Sequence, residues 1–224
     1  MTTKAAPTRV RLDVDAVVTM ATAVVDAEGI DALTIRHLAQ ELGVTPTALY
    51  WHFADKQALL DAVADQLWRD ALARIDTQRT DDVWTQLRAS FAAMISVFDE
   101  HPDLAALAPT RVLECEAGLD LSEGVLGLLA QAGFDERGAA NAARLLLSSA
   151  VMLVTSQPGA AVPDADERAQ LMRNKRARLM TLDPARYPRI EAVADYLIDC
   201  DDETGASYDL GVDLLMAGLK ASVR

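Results

Sequence analysis

The stretch Leu33 to Leu60, LTIRHLAQELGVTPTALYWHFADKQALL, decides how the chain is read. Thr34 opens a helix with Ile35, Leu38, Ala39 and Leu42 on its inner face, and Gly43 ends it. Apolar residues recurring at three and four positions mark one face of an α-helix, and glycine closes such helices most readily. Thr45-Pro46 starts the next helix: a hydroxyl able to cap free amides precedes a residue whose missing N–H is no loss at the first helical position. That helix ends near His52-Phe53. Asp55 caps a further one, which runs through Leu59, Leu60, Val63, Leu67, Leu72 and Ile75 for about six turns. Two short helices joined by Gly43-Val44-Thr45 have helix-turn-helix geometry, because the glycine lets the chain reverse, Val44 pins the turn and the second helix projects outward.

The surface of that second helix carries the functional signal. Leu49 and Phe53 lie one turn apart and face inward, which leaves Thr45, Thr47, Ala48, Tyr50, Trp51 and His52 facing out. A small globular helix seldom exposes a Tyr-Trp-His run without a partner. Taken singly, each residue also has a plain reading. Tyr50 and Trp51 serve equally as packing between small helices, His52 as a surface or cap histidine, Lys56 as a solvated charge and Thr34 as a helix cap.

Upstream, Val14, Val17, Val18, Ala21, Val24 and Val25 form one face of a helix closed by Gly29. Downstream, longer helices are expected over Asp82 to Glu100, Pro102 to Leu107, Thr110 to Ala132, Asp135 to Ser156, Glu167 to Thr181, Pro188 to Asp199 and Tyr208 to Ser222. A loop is expected over Gln157 to Asp166 and an acidic break over Cys200 to Glu203. The composition agrees: 40 Ala and 30 Leu stand against 11 Gly and 8 Pro in 224 residues, a balance that favours an all-α fold over a turn-rich sandwich or barrel.

The net charge of −13 excludes binding through a general positive field, though not through a local site. Residues 1–56 carry 5 Lys and Arg against 7 Asp and Glu, a balance of −2, so the remaining −11 lies beyond them. Cys115 and Cys200 stand far apart without metal-ligand spacing, so neither a disulfide framework nor a zinc site is suggested. The N-terminus has no apolar stretch of signal-peptide length. The longest uncharged run begins at Leu145 and is broken by Gln157-Pro158-Gly159 and Pro163, short of the roughly 20 residues that span a bilayer. A cytoplasmic protein without membrane contact is expected.

Residues from about Val14 to Leu60 resemble the DNA-binding domain of TetR-family transcriptional regulators in turn, caps, aromatic pair and following helix. RYPRIEAVADYL and YDLGVDLLMAGLKA resemble the tetracycline-repressor branch. The resemblance implies an N-terminal helix-turn-helix three-helix domain over 1–56 and a larger helical effector-binding and dimerisation domain over 57–224, with 57–76 connecting them. It also implies a homodimer whose paired recognition helices enter a palindromic double-stranded DNA operator, released by a small-molecule effector of unknown identity. Carried over by position, Arg36, Thr45, Pro46 and Thr47 meet base edges, while Tyr50, Trp51, His52 and Lys56 lie near phosphates or thymine methyls; Thr34 is a helix cap first and a phosphate contact second. The chemistry suits those roles, since Arg can bridge guanine O6 and N7, and small hydroxyls and proline fit close to base methyls. The arm with Lys4, Arg9 and Arg11 reads either as a DNA contact or as a disordered tail.

For the effector, Trp84, Phe91, Met94, Phe98, His101, Thr110, Arg111 and Met152 lie on helices expected to surround the centre of the larger domain, where plain core packing competes as an explanation. Arg111 stands out because a buried cation needs an anionic or carbonyl partner. The helix from Asp135 offers two apolar stripes, Ala139, Ala143, Leu146, Ala150 and Leu153 on one and Ala142, Leu145, Ser149 and Met152 on the other. The last helix offers Leu210, Leu214 and Leu215 beside Gly211 and Gly218. Together these suit a four-helix bundle between two subunits. Tetracycline-binding relatives use a histidine to help hold magnesium, and the resemblance aligns Leu107 there. An aliphatic side chain ligates no metal, so neither magnesium-tetracycline binding nor any cofactor is expected. The rival classes are an all-α enzyme, in which His101 and Glu114 act together, and a helical protein-interaction module anchored by Trp51. No metal-ligand spacing, phosphate loop or nucleophile and base pair supports the enzyme.

Overall fold

Seven of the helices begin where the side chain just before them takes up a free amide. Asp13, Thr34, Thr45, Asp82, Asp135 and Asp164 each accept a hydrogen bond from the first turn that follows, and Asp55 accepts from Ala58 N at 2.9 Å. Such caps satisfy amides that have no partner inside the helix. The structure is a computed structural model, described over residues 13–76, 82–156, 164–198 and 204–223. The N-terminal arm, residues 157–163 of the expected loop and the acidic break with Cys200 lie outside the described residues.

The elements are α1 (Val14–Glu28), α2 (Ile35–Glu41), α3 (Pro46–Tyr50), α4 (Lys56–Asp76), α5 (Val83–Glu100), α6 (Pro102–Ala105), α7 (Ala108–Arg111), α8 (Glu116–Gln131), α9 (Glu136–Thr155), α10 (Ala165–Met180), α11 (Pro188–Ala192) and α12 (Thr204–Ser222). No strand occurs among the described residues, so the all-α expectation holds. The chain divides into two units inside α4, between Val63 and Ala64; the boundary expected at 56/57 instead marks the beginning of that helix.

The first unit closes over Val17, Ala21, Val25, Leu33, Leu38 and Leu49, all fully buried. In the second, α5 packs on α8 and α9, and α12 lies against α5 and α9. Its core is built on Trp68, Leu87, Phe91, Phe98, Leu129 and Leu146. Gly211 lets α12 come close to α9, since a Cβ there would stand 2.9 Å from Leu153 Cδ2. Polar ties join α12 to α5: Arg88 donates to Asp213 at 3.0 Å and to Asp209 at 3.2 Å, and Tyr208 Oη donates to Asp99 at 2.6 Å. Hydrogen bonding to Asp213 foremost holds the Arg88 guanidinium more firmly protonated than usual. By length and composition α9 is apolar enough to cross a membrane; here it packs against α5 and α8.

Three expectations are corrected. The single helix expected over Thr110 to Ala132 is two, α7 and α8, separated by Val112 to Cys115. The break has a tertiary cause. Asp65 of α4, itself buried, accepts from Ala117 N at 3.0 Å with one carboxylate oxygen and pairs with Arg69 through the other, while Cys115 caps nothing with its own side chain. A carboxylate at the helix N-terminus substitutes for the local cap. The helix expected over Pro188 to Asp199 stops at Ala192 and continues as turns. The last helix starts at Thr204, ahead of Tyr208.

Candidate DNA interface and ligand cavity

The turn between α2 and α3 is closed by the backbone. Gly43 N donates to Gln40 O at 3.0 Å and Val44 N to Ala39 O at 2.9 Å, with Gly43 at φ +65°, a conformation in which a Cβ is strained. Leu49 and Phe53 are buried and anchor α3, while Tyr50 is 55% and Trp51 83% exposed. Thr45, Thr47 and His52 are exposed and Pro46 is half-buried, so the outer surface of this short helix is the one read from the sequence. Arg36 is exposed on α2. Thr34 and Thr45 each spend a lone pair on capping, accepting from His37 N at 3.1 Å and Ala48 N at 3.3 Å.

Two features of this unit escape sequence reading. Lys56, half-buried, donates from Nζ to Ile30 O at 3.1 Å, which positions the ammonium at the start of α4, where the helix dipole alone disfavours it. His37 joins α1 to α2: Nδ1 lies 3.1 Å from Ala32 O, and Nε2 lies 3.5 Å from Glu28 and 3.7 Å from Glu41. Its place amid Arg36 and Leu38 gave no hint of this bridging position.

In the second unit a cavity of about 440 Å³ opens among α4, α5, α8 and α9, within the range of small-molecule sites. Trp68, Met94 and Pro109 line it from α4, α5 and α7, and Val112 and Leu113 from the break that follows. Leu121, Ser122, Val125 and Leu126 come from α8, and Ala140, Ala143, Arg144, Leu147 and Ser148 from α9. Of the eight residues expected around an effector, Met94 lines the cavity. Phe91 and Phe98 are core, with Phe98 set edge-on to Trp68 at 5.5 Å between ring centroids. Trp84 lies beneath the Lys220 ammonium, 5.5 Å from its ring centre. His101 sits at the junction of α5 and α6, and Thr110 is exposed and donates to Leu107 O at 2.8 Å. Arg111 is buried, while Met152, one turn beyond Ser148 on α9, is 58% exposed and does not line the cavity.

Burial foremost pushes the Cys115 thiol up from its usual pKa, overriding the lowering that a helix start ordinarily exerts. Among the described residues no group of three or more His, Cys, Asp or Glu could hold a metal ion, and the aligned Leu107 is half-buried aliphatic. These residues do not fit a magnesium-held ligand.

Comparison with known proteins decides the family. Residues 18–63 match the family described as bacterial regulatory proteins, tetR family, and residues 77–223 match the tetracyclin repressor-like C-terminal domain. The chain belongs to the TetR family of transcriptional regulators. An HTH-type transcriptional regulator of Saccharopolyspora erythraea is 30% identical over 220 residues, spanning 98% of this chain and 89% of the relative. The TetR-family protein ActR of Streptomyces coelicolor, solved in complex with actinorhodin, aligns at a TM-score of 0.74 and 26% identity over 95% of this chain and 98% of its own. BioQ, solved with its double-stranded DNA operator, aligns at 0.60 and 27% over 94% and 99%. The helices α1–α3 fall within the matched N-terminal part or its immediate approach.

Proposed function

We propose that the chain is a homodimeric repressor that binds a palindromic operator through α3 and is released when a small molecule occupies the cavity among α4, α5, α8 and α9. The observation that carries this reading is the outward Tyr50-Trp51 pair on a helix whose inner residues, Leu49 and Phe53, are already satisfied. Arg36, Thr45, Pro46 and Thr47 serve as base-edge contacts, with Thr34, Tyr50, Trp51, His52 and Lys56 toward the backbone. BioQ with its operator and ActR with its ligand support the two halves of the reading. Because the relatives are regulators, the chain works by binding and not by turnover. Its place is the cytoplasm, where the DNA is.

Exposed Leu145 and Met152 on α9 and Leu210 and Leu214 on α12 supply the dimer face. The effector acts through α4, which carries Trp68 at the cavity and begins at Lys56 beside the reading head. A ligand that prefers one arrangement of α4 shifts operator affinity by its differential binding, typically about 1–3 kcal/mol.

Selection of random duplexes on the purified protein tests the reading, and enrichment of a palindrome with two half-sites one helical turn apart is expected. Failure to enrich any duplex refutes it. On the selected operator, Tyr50→Ala and Lys56→Ala weaken binding to all sequences alike, and Lys56→Ala also lowers the salt dependence. Arg36→Ala relaxes base choice at one position per half-site by about 1–3 kcal/mol. Unaltered affinity in all three variants overturns the residue assignment.

A further inference from the structure

Trp68 is fully buried, and its indole Nε1 has no hydrogen-bond partner among the described residues. Buried donors in folded proteins almost always find an acceptor, so one without a partner beside a cavity asks for one from outside the chain. The ring packs edge-on against Phe98, which offers no acceptor, and it also lines the cavity. Leu121, Val125, Leu126, Ala143 and Leu147 make the remaining wall mostly apolar. Beside the indole N–H, its polar side chains are Ser122, Ser148 and Arg144. The Ser122 hydroxyl proton is spent on Gly118 O at 2.8 Å. Arg144 uses one terminal nitrogen on Asn141 Oδ1 at 2.9 Å and keeps further N–H groups. The lining contains no carboxylate and no imidazole.

Resting on the reading of this cavity as the effector site, we propose that Trp68 determines effector specificity by donating its indole N–H to an oxygen acceptor on an apolar, metal-free ring compound that is neutral or anionic. A cationic ligand meets only Arg144 as a formal charge there and is disfavoured. A metal chelate finds no carboxylate or imidazole to complete its shell.

Two dyes of one shape separate the acceptor from the rings: anilinonaphthalene sulfonate, and phenylnaphthylamine, which lacks the sulfonate. Fluorescence titration of the full-length protein is expected to show both binding, with the sulfonate the tighter. Trp68→Phe, which keeps an aromatic ring and removes the donor, lowers the affinity of the sulfonate dye about tenfold and leaves the amine within about twofold. Ala143→Trp fills the cavity and abolishes both. Sulfonate affinity unchanged in Trp68→Phe, or dye binding that survives Ala143→Trp, overturns the proposal. If Trp68→Phe fails to fold, the indole N–H resonance of Trp68 in the wild-type chain, assigned with Trp51→Phe and Trp84→Phe, decides instead: a shift on saturation with the sulfonate dye but not with the amine is expected, and no shift overturns it. Duplex selection on the same wild-type preparation keeps the two readings apart. Loss of operator enrichment refutes the regulator reading, whereas intact enrichment with an indifferent Trp68 refutes this inference alone.

Discussion

Leu214→Asp is expected to dissociate the proposed homodimer and to lower operator affinity about a hundredfold or more, because each half then binds without the effective concentration that its partner confers. Leu210 and Leu214 lie one turn apart on α12 and are 62% and 64% exposed, and Leu145 and Met152 are 48% and 58% exposed on α9. The two helices are neighbours, so these side chains form adjoining apolar stripes that water covers poorly. In a two-fold interface one substitution places two carboxylates in the contact, next to Asp209 and Asp213, which already serve Arg88. Burying a charge without a partner costs several kcal/mol, on the order of a whole interface's margin. Light scattering of the eluting species and an operator titration read the two effects together. A variant that remains dimeric and binds as the wild type places the dimer face elsewhere.

Gly118→Ala is expected to destabilise the second unit by about 3 kcal/mol and to lower its melting temperature by about 6–12 °C. A Cβ at Gly118 would stand 2.2 Å from Val112 O and 2.9 Å from Val112 C. Those are backbone atoms, so no side-chain rotation relieves the clash, and α8 has to move away from the break that precedes it. That movement pulls Ala117 N from the Asp65 carboxylate, 3.0 Å away, and leaves a buried, charged acceptor short of a donor. Thermal unfolding followed by circular dichroism checks it; a melting temperature within about 1 °C of wild type contradicts the close approach of Val112 to α8.

The reading head was legible because its determinants are local. Thr34, Thr45 and Asp55 cap the helices that follow them, Gly43 adopts the positive φ that its turn demands, and the spacing of Leu49 and Phe53 leaves Tyr50 and Trp51 outside. The break between α7 and α8 was illegible because Val112-Leu113-Glu114-Cys115 suits a helix as well as any neighbour does. What interrupts it is a carboxylate 52 residues earlier. The cavity was missed for a related reason. Alanine, leucine and valine line cavity and core alike, so periodicity cannot tell a wall from a filled interior, and aromatic residues such as Phe91 and Phe98 fill the core instead. Trp68 gives no sequence signal of a cavity because it sits in the connecting stretch 57–76, where an apolar residue suits plain packing.

The Asp65 contact also bears on engineering by recombination. Hybrid regulators are made by grafting one protein's sensor onto another's operator-recognition module, and the junction must be placed somewhere along α4. A splice after Asp76 would discard Asp65 with the donor's old front end and leave the amide of Ala117 dependent on whatever the foreign helix supplies. A splice between Val63 and Ala64 transfers Asp65, Arg69 and Trp68 with the sensor, so the graft keeps both the clasp on α8 and the indole at the cavity.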